Sequence, residues 1–279
     1  MDSGEVETLM YVSNRPEDSA LNRQSFALFV MLAVLGMSRA AIAVTNAVDA
    51  SICDAEWTDV EALPNFADRY SRWHALAPKC AKTGMYEARL AALQTLLGRY
   101  DDAKKTVGVG LALNTSYKKH LLSTMAGIAL NQGQLADAQK QYRALIASYP
   151  DYFDGYCGMG SIVLIERKFS EAVRYLNEAA QREQVPIIYR QLTIAYHQLH
   201  QNQQAVDALD KACRLNPHIF RDKDATHAAA RALMFLGNYR AADGAVKLLL
   251  EANPGAGADP EIQQSQRIIR EELQKATQK

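Results

Sequence analysis

Residues 156–179 read YCGMGSIVLIERKFSEAVRYLNEA. An apolar run is followed by an amphipathic one, which suits two helices that fold back on one another. Antiparallel helices joined so closely must approach tightly somewhere, and a small side chain on each lets the backbones come together. Gly160 in the first run and Ala172, 12 positions later in the second, meet that need. Met159 and Leu176 are then placed to fill the space on either side.

The pattern repeats along the chain, and self-similarity at a period of 20–50 residues marks repeat architectures. Ala103, Ala138, Ala172, Ala205 and Ala242 follow one another at intervals of 35, 34, 33 and 37 residues. Twelve positions before each stands a small or nearly small residue: Ala91, Ala126, Gly160, Thr193 and Ala230. Large apolar residues accompany them, with Leu90, Met125, Met159 and Leu192 on the first helices and Val107, Tyr142, Leu176, Leu209 and Val246 on the second. The segments LLGRYDDA, NQGQLADA and FLGNYRAA put Gly98, Gly133 and Gly237 between the helices of a pair, where a helix end often turns left-handed. Tyr100 and Tyr239 lie two residues past the first and last of these glycines, and with Phe169 of the third unit they are expected to wedge into their pairs. Tyr149-Pro150, Asn216-Pro217 and Asn253-Pro254 stand where second helices should stop, since proline cannot continue a helix and disfavours helical geometry in its predecessor.

This alternation of small site, Gly-x-aromatic-x-x-Ala, apolar pair and terminal proline resembles the tetratricopeptide repeat family. The third unit carries most of the likeness, through Tyr156, Met159, Gly160, Phe169, Ala172, Leu176 and Ala179; the fourth adds Tyr189, Leu192, Tyr196, Ala205, Ala212 and Pro217. The first and fifth units are degenerate in their first helices. The resemblance implies an all-α solenoid of about five helix pairs over residues 84–254. It also implies a right-handed superhelix whose concave groove, lined mainly by first helices, holds an extended or helical peptide. Projecting the family's groove positions onto this chain selects the pairs Ala88/Ala92, Ser123/Gly127, Cys157/Ser161, Arg190/Ile194 and His227/Arg231. Leu130, Leu164, His197 and Met234 lie one turn further on. The Lys/Asn combination with which some members grip a terminal carboxylate is missing at these sites. The groove reads as small and apolar in its first half and basic in its second. Arg190, Arg231, His197 and His227 therefore either favour an acidic feature on a partner or simply cross-link neighbouring repeats.

The flanks fit caps. NFADRYSRWHALA, residues 65–77, has Phe66, Tyr70, Trp73 and Leu76 at helical spacing between Pro64 and Pro78. Residues 44–83 are thus a leader and helical cap. After Gly255-Ala256-Gly257, Asp259 caps a helix with Pro260 in its first turn, and Ile262, Ile269 and Leu273 give it a narrow apolar face. Residues 255–279 form the polar end-cap that a solenoid needs.

The N-terminal extension, residues 1–43, contains FALFVMLAVLGM at 26–37, which has the length of a signal-peptide core. Arg23 precedes it and Ala41-Ile42-Ala43 follows, a small-x-small pattern for cleavage before Val44. Arg39 and the acidic first 20 residues depart from that pattern, and translation from Leu21 would remove the second departure. The expectation is export to the periplasm or beyond. Anchoring by an uncleaved segment over residues 26–48 and a buried cytosolic helix are the alternatives. Cys53 and Cys80 both precede the repeats; they pair in an oxidising compartment or remain thiols in a reducing one.

Balanced charge, 31 basic against 31 acidic residues, gives no field to attract nucleic acid or an anionic membrane surface. A hydrophobic content of 48% supports a folded core. His197 and His200 lie three apart, a spacing that could share a metal, yet no third ligand is close in sequence, so they read as an incidental solvent-facing pair. Gly108-Val109-Gly110 lacks the third glycine and preceding strand of a dinucleotide loop and is expected to loosen its helix. Gly158-Met159-Gly160-Ser161 lies within a helix, not after a strand, and is no nucleophile elbow. With no convergent acid, base and nucleophile, and no cofactor motif, a protein-binding scaffold or adaptor is expected. A structural or assembly subunit of a cell-envelope complex and a non-catalytic enzyme accessory are the alternatives.

Overall fold

The computed structural model describes residues 52–278 apart from Pro64 and Asn114. The proposed signal or anchor segment lies outside the described residues. The described residues are helical and carry no strand. The described residues fall into two compact units, 52–141 and 142–278.

In the first unit, α1 covers residues 52–61. It is followed by α2 (Phe66–Ala75), α3 (Ala77–Cys80), α4 (Met85–Leu96), α5 (Tyr100–Ala112) and α6 (Lys118–Asn131). The start of α7 (Leu135–Ser148) also belongs to this unit. Asn65 caps α2 by accepting a hydrogen bond from the Asp68 amide at 2.8 Å. Pro78 does not simply stop that helix: the chain re-enters a short turn, α3, with the proline near its start, where no amide is needed.

The leader is more structured than its sequence pattern indicates. Cys53 and Cys80 form a disulfide that ties α1 to α3. Trp57 meets Trp73 edge-on with ring centres 4.9 Å apart, and Trp73 stacks on Tyr86 at 5.5 Å. With Val60, Met85, Leu90 and Leu93 these residues make one buried cluster joining the leader to α4. The Arg89 guanidinium sits over the Trp57 ring at 4.9 Å and pairs with Asp54 at 2.8 Å. Its burial lowers its pKa, and the Asp54 charge opposes that shift.

The second unit continues from the end of α7 into α8 (Phe153–Ile165), α9 (Phe169–Arg182), α10 (Pro186–Gln198) and α11 (Asn202–Leu215). A 3-10 turn (Pro217–Arg221) leads to α12 (Lys223–Phe235) and α13 (Tyr239–Ala252), and a second one (Pro254–Ala258) leads to α14 (Pro260–Thr277). All five anchoring alanines are fully buried, as are Ala91, Ala126 and Ala230. Thr193, the largest residue in the small series, is also buried and donates its hydroxyl hydrogen to the Tyr189 carbonyl at 2.9 Å, which removes the cost of an unpaired polar group.

First and second helices are built differently. Every residue of α4 from Met85 to Thr95 is buried. By contrast α9 buries only Ala172, Leu176 and Ala179, a single stripe with polar residues around it. Contact at the small sites is tight. A Cβ on Gly160 would lie 2.8 Å from Leu176 Cδ2, and one on Gly158 would fall within the Tyr142 ring. Gly98, Gly133 and Gly237 take φ of 69°, 72° and 74°. The third and fourth pairs make the same left-handed turn without glycine, at Arg167 (60°) and His200 (58°).

The expected loosening at Gly108 and Gly110 does not occur, because α5 runs unbroken to Ala112. Gly110 is there for close packing: an added Cβ would lie 2.8 Å from both methyls of Leu121 and 3.0 Å from Glu87 Cβ. Nothing lies within 4 Å of the same position on Gly108. At the C-terminal end, Asp259 caps α14 by accepting from the Glu261 amide at 2.9 Å. Ile262 and Ile269 bury against Val246 and Leu249 of α13, with Leu273 packed beside them.

Candidate functional site

The first helices of the second unit, α8, α10 and α12, bring most of the selected groove positions together in that unit. Ser123 and Leu130 stand on α6 in the first unit, both buried. Along α8, α10 and α12 the environment changes from enclosed to open. Cys157, Ser161, Arg190 and His197 are buried, whereas Leu164, Ile194, His227, Arg231 and Met234 are partly exposed.

The enclosed part is held by polar contacts that the repeat pattern does not reveal. Gln191 on α10 donates from Nε2 to Ser161 Oγ at 2.7 Å, and its Oε1 lies 3.8 Å from Cys157 Sγ. Ser161 in turn donates to the Cys157 carbonyl at 3.1 Å. Burial pushes the Cys157 thiol well above its ordinary pKa, so it is a neutral packing group rather than a nucleophile. Gln191 carries no motif of its own; its only advance sign is adjacency to Arg190.

The positive charge expected of the second half is largely neutralised. Arg190 Nη1 donates to Asp222 Oδ2 at 2.8 Å. Asp222 is also the N-cap of α12, accepting from the Ala225 amide at 2.9 Å through its other oxygen. This pair is mostly buried and joins α10 to α12, so Arg190 cross-links neighbouring repeats. Arg231 pairs with Glu261 of α14 at 3.2 Å, but that pair stays exposed, with side-chain accessibilities of 40% and 69%. Burial, then the nearby Arg231, holds the His197 pKa down to about 4, and the same two causes lower that of His227. Both imidazoles are therefore uncharged near neutrality. His227 Nε2 lies 3.0 Å from Ser265 Oγ on α14.

His197 and His200 are not a solvent-facing pair. His197 shares a helical face with Arg190 and is only 6% exposed, while His200 lies beyond the end of α10 in its left-handed turn. Among the described residues no group of three His, Cys, Asp or Glu side chains could hold a metal ion. None of the helices among them is long and apolar enough to cross a membrane.

A cavity of about 340 Å³ opens at the exposed end, between α12 and α14. Arg231, Met234 and Phe235 form one side, and Glu261, Ser265 and Ile268 the other. Phe235 is 62% exposed, the most exposed large apolar side chain among the described residues.

No protein-family model and no curated protein matches the sequence. Solved structures do match. A thermophilic TPR protein of Thermus thermophilus aligns at 21% identity with a TM-score of 0.50, covering 67% of this chain and 98% of that one. The pilF protein of Pseudomonas aeruginosa aligns at 19% identity and 0.51, covering 61% and 76%. Yeast Tom70 aligns at 14% identity and 0.53, covering 78% of this chain and 45% of its own. Identities this low speak to fold alone, and they agree with the small-residue register, the left-handed turns and the consecutive pairs described above. The described residues of this chain have the tetratricopeptide-repeat fold.

Proposed function

We propose that the chain is a non-catalytic scaffold that holds a protein or peptide partner against the first helices of its second unit. The observation that carries this reading is the partly open face formed by Ile194, His227, Arg231, Met234 and the exposed Phe235, set on helices whose other faces are buried. A preformed surface binds without a large ordering cost of its own. The chemistry of the face supports binding over catalysis. Its histidines are neutral and hydrogen-bonded or buried, its thiol is protonated, and its buried arginine is already paired. Cys157, Ser161, Arg190 and His197 act in this reading by shaping the face, while Leu164, Ile194, His227, Arg231 and Met234 reach the partner; Ser123 and Leu130 are buried within the first unit.

Residues 84–254 serve as the binding solenoid, with 44–83 and 255–279 as its caps. The disulfide between Cys53 and Cys80 favours an oxidising compartment, and with the apolar stretch at 26–37 it supports export by a cleaved signal segment. An anchored form would retain residues 26–48 in the membrane. Within an envelope the partner would belong to a structural or assembly complex.

The test is co-purification of the full chain with its partners under mild conditions, in wild-type and Ile194→Glu forms, followed by mass spectrometry. The reading expects a stoichiometric protein that the variant loses while its circular dichroism stays helical. Equal recovery by both forms contradicts it. Fractionation with thiol counting tests the compartment: an exported chain shows two alkylatable cysteines in denaturant before reduction, a cytosolic one four.

A further inference from the structure

The cavity between α12 and α14 has features that go beyond a generic groove. It is bounded by an apolar wall of Met234, Phe235 and Ile268 and by one ion pair, Arg231 with Glu261. Arg231 and Phe235 stand one helical turn apart, so a cation and an exposed aromatic ring face the same space. At about 340 Å³ the cavity has room for one or two side chains, not for a helix. The pair itself is solvent-exposed on both sides, and such pairs contribute little to stability. Glu261 is therefore an easily exchanged partner for Arg231.

Building on the binding function proposed above, we infer that this cavity receives a partner segment in which an apolar side chain adjoins a carboxylate. The carboxylate takes the place of Glu261 on Arg231, and the apolar side chain packs on Phe235, Met234 and Ile268. Glu261, in the first turn of α14, is then a built-in competitor that occupies the cation until the partner arrives. Its side chain is the more exposed of the two and can swing into water without disturbing the Asp259 cap.

A random-peptide phage library selected on the immobilised full chain tests this. Enriched peptides are then synthesised and titrated by fluorescence anisotropy against wild type, Glu261→Gln, Arg231→Glu and Ile194→Glu. The expected result is a motif pairing Asp or Glu with an aromatic or aliphatic residue, bound about fivefold tighter by Glu261→Gln and at least tenfold weaker by Arg231→Glu. Changing the acid of the peptide to its amide should weaken binding to wild type but not to Arg231→Glu. Enriched peptides that lack an acid, or that bind Glu261→Gln and Arg231→Glu as they bind wild type, overturn the inference. If those peptides still lose affinity for Ile194→Glu, the groove reading survives without it; if no peptide is enriched, both fall.

Discussion

Gly108 and Gly110 lie two residues apart on α5, and replacing each with alanine should move stability in opposite directions. Alanine is favoured over glycine in a helix interior by about 1 kcal/mol. At position 108 the new methyl group meets nothing within 4 Å, so that gain appears in full. At position 110 it would lie 2.8 Å from both Leu121 methyls and 3.0 Å from Glu87 Cβ. Leu121 and Glu87 are themselves buried, which leaves them little room to move. Overpacking of this kind costs about 1–3 kcal/mol, which outweighs the propensity gain and leaves Gly110→Ala destabilised by roughly 1 kcal/mol. The two variants should therefore differ by about 2 kcal/mol in urea unfolding of the full chain followed by circular dichroism. A double mutant sharpens the test. Leu121→Ala alone should cost about 2–5 kcal/mol, and in its presence Gly110→Ala should cost clearly less than it does alone, because the obstructing methyls are gone and only Glu87 Cβ stays close. If Gly110→Ala stabilises as much as Gly108→Ala, or if the double mutant is simply additive, the claim that neighbouring helices are spaced by missing side chains is wrong.

Other consequences follow from particular contacts. Replacing Cys53 and Cys80 by serine opens a loop with a sequence separation of 27 and should lower the stability of the first unit by about 3–4 kcal/mol, measured as a fall in urea midpoint relative to the oxidised chain. Arg190→Ala strands Asp222 in a largely buried site and should cost about 3 kcal/mol, whereas Arg231→Ala, which breaks an exposed pair, should cost less than about 1 kcal/mol; equal losses would contradict the assigned environments. The pKa of His197 is about 4 in the fold, below its ordinary 6.5, so the unfolded chain binds more protons between those values. That contribution is complete above about pH 6.5 and is lost as pH falls toward 4; His197→Gln should flatten the profile of stability against pH over this window, and an unchanged profile would show that the imidazole is not shielded.

The repeats were legible because packing of paired helices leaves a local and periodic trace. Ala103, Ala138, Ala172, Ala205 and Ala242 are small wherever two helices touch, and that requirement recurs at nearly constant spacing. Gly98, Gly133 and Gly237 marked three turns, but Arg167 and His200 make the same turn with ordinary side chains and so carried no sign of it. The leader was legible in part: the helix over residues 65–77 and the option of a Cys53–Cys80 pair could be read, whereas Trp57 against Trp73 and Arg89 over Trp57 are contacts between distant residues that no periodicity encodes. The positions selected for the groove lie on α6, α8, α10 and α12, but their chemistry depends on contacts that the repeat pattern does not carry. The sequence left open whether Arg190 and Arg231 cross-link repeats or face a partner, because Asp222 and Glu261 stand 32 and 30 residues away. His197 looked exposed because the neighbouring repeat that covers it is invisible to a helical pattern.

The central claim is that a partner lies against α8, α10 and α12 and not against the outward stripe of the second helices. Site-specific photocrosslinking in the native cell tests it directly, with benzoylphenylalanine placed at Ile194, at Phe235 and at the exposed Arg174 of α9. The account predicts a discrete crosslinked species of the same mass from Ile194 and Phe235 and none from Arg174. A species formed only from Arg174 would place the binding surface on the opposite helices and contradict it.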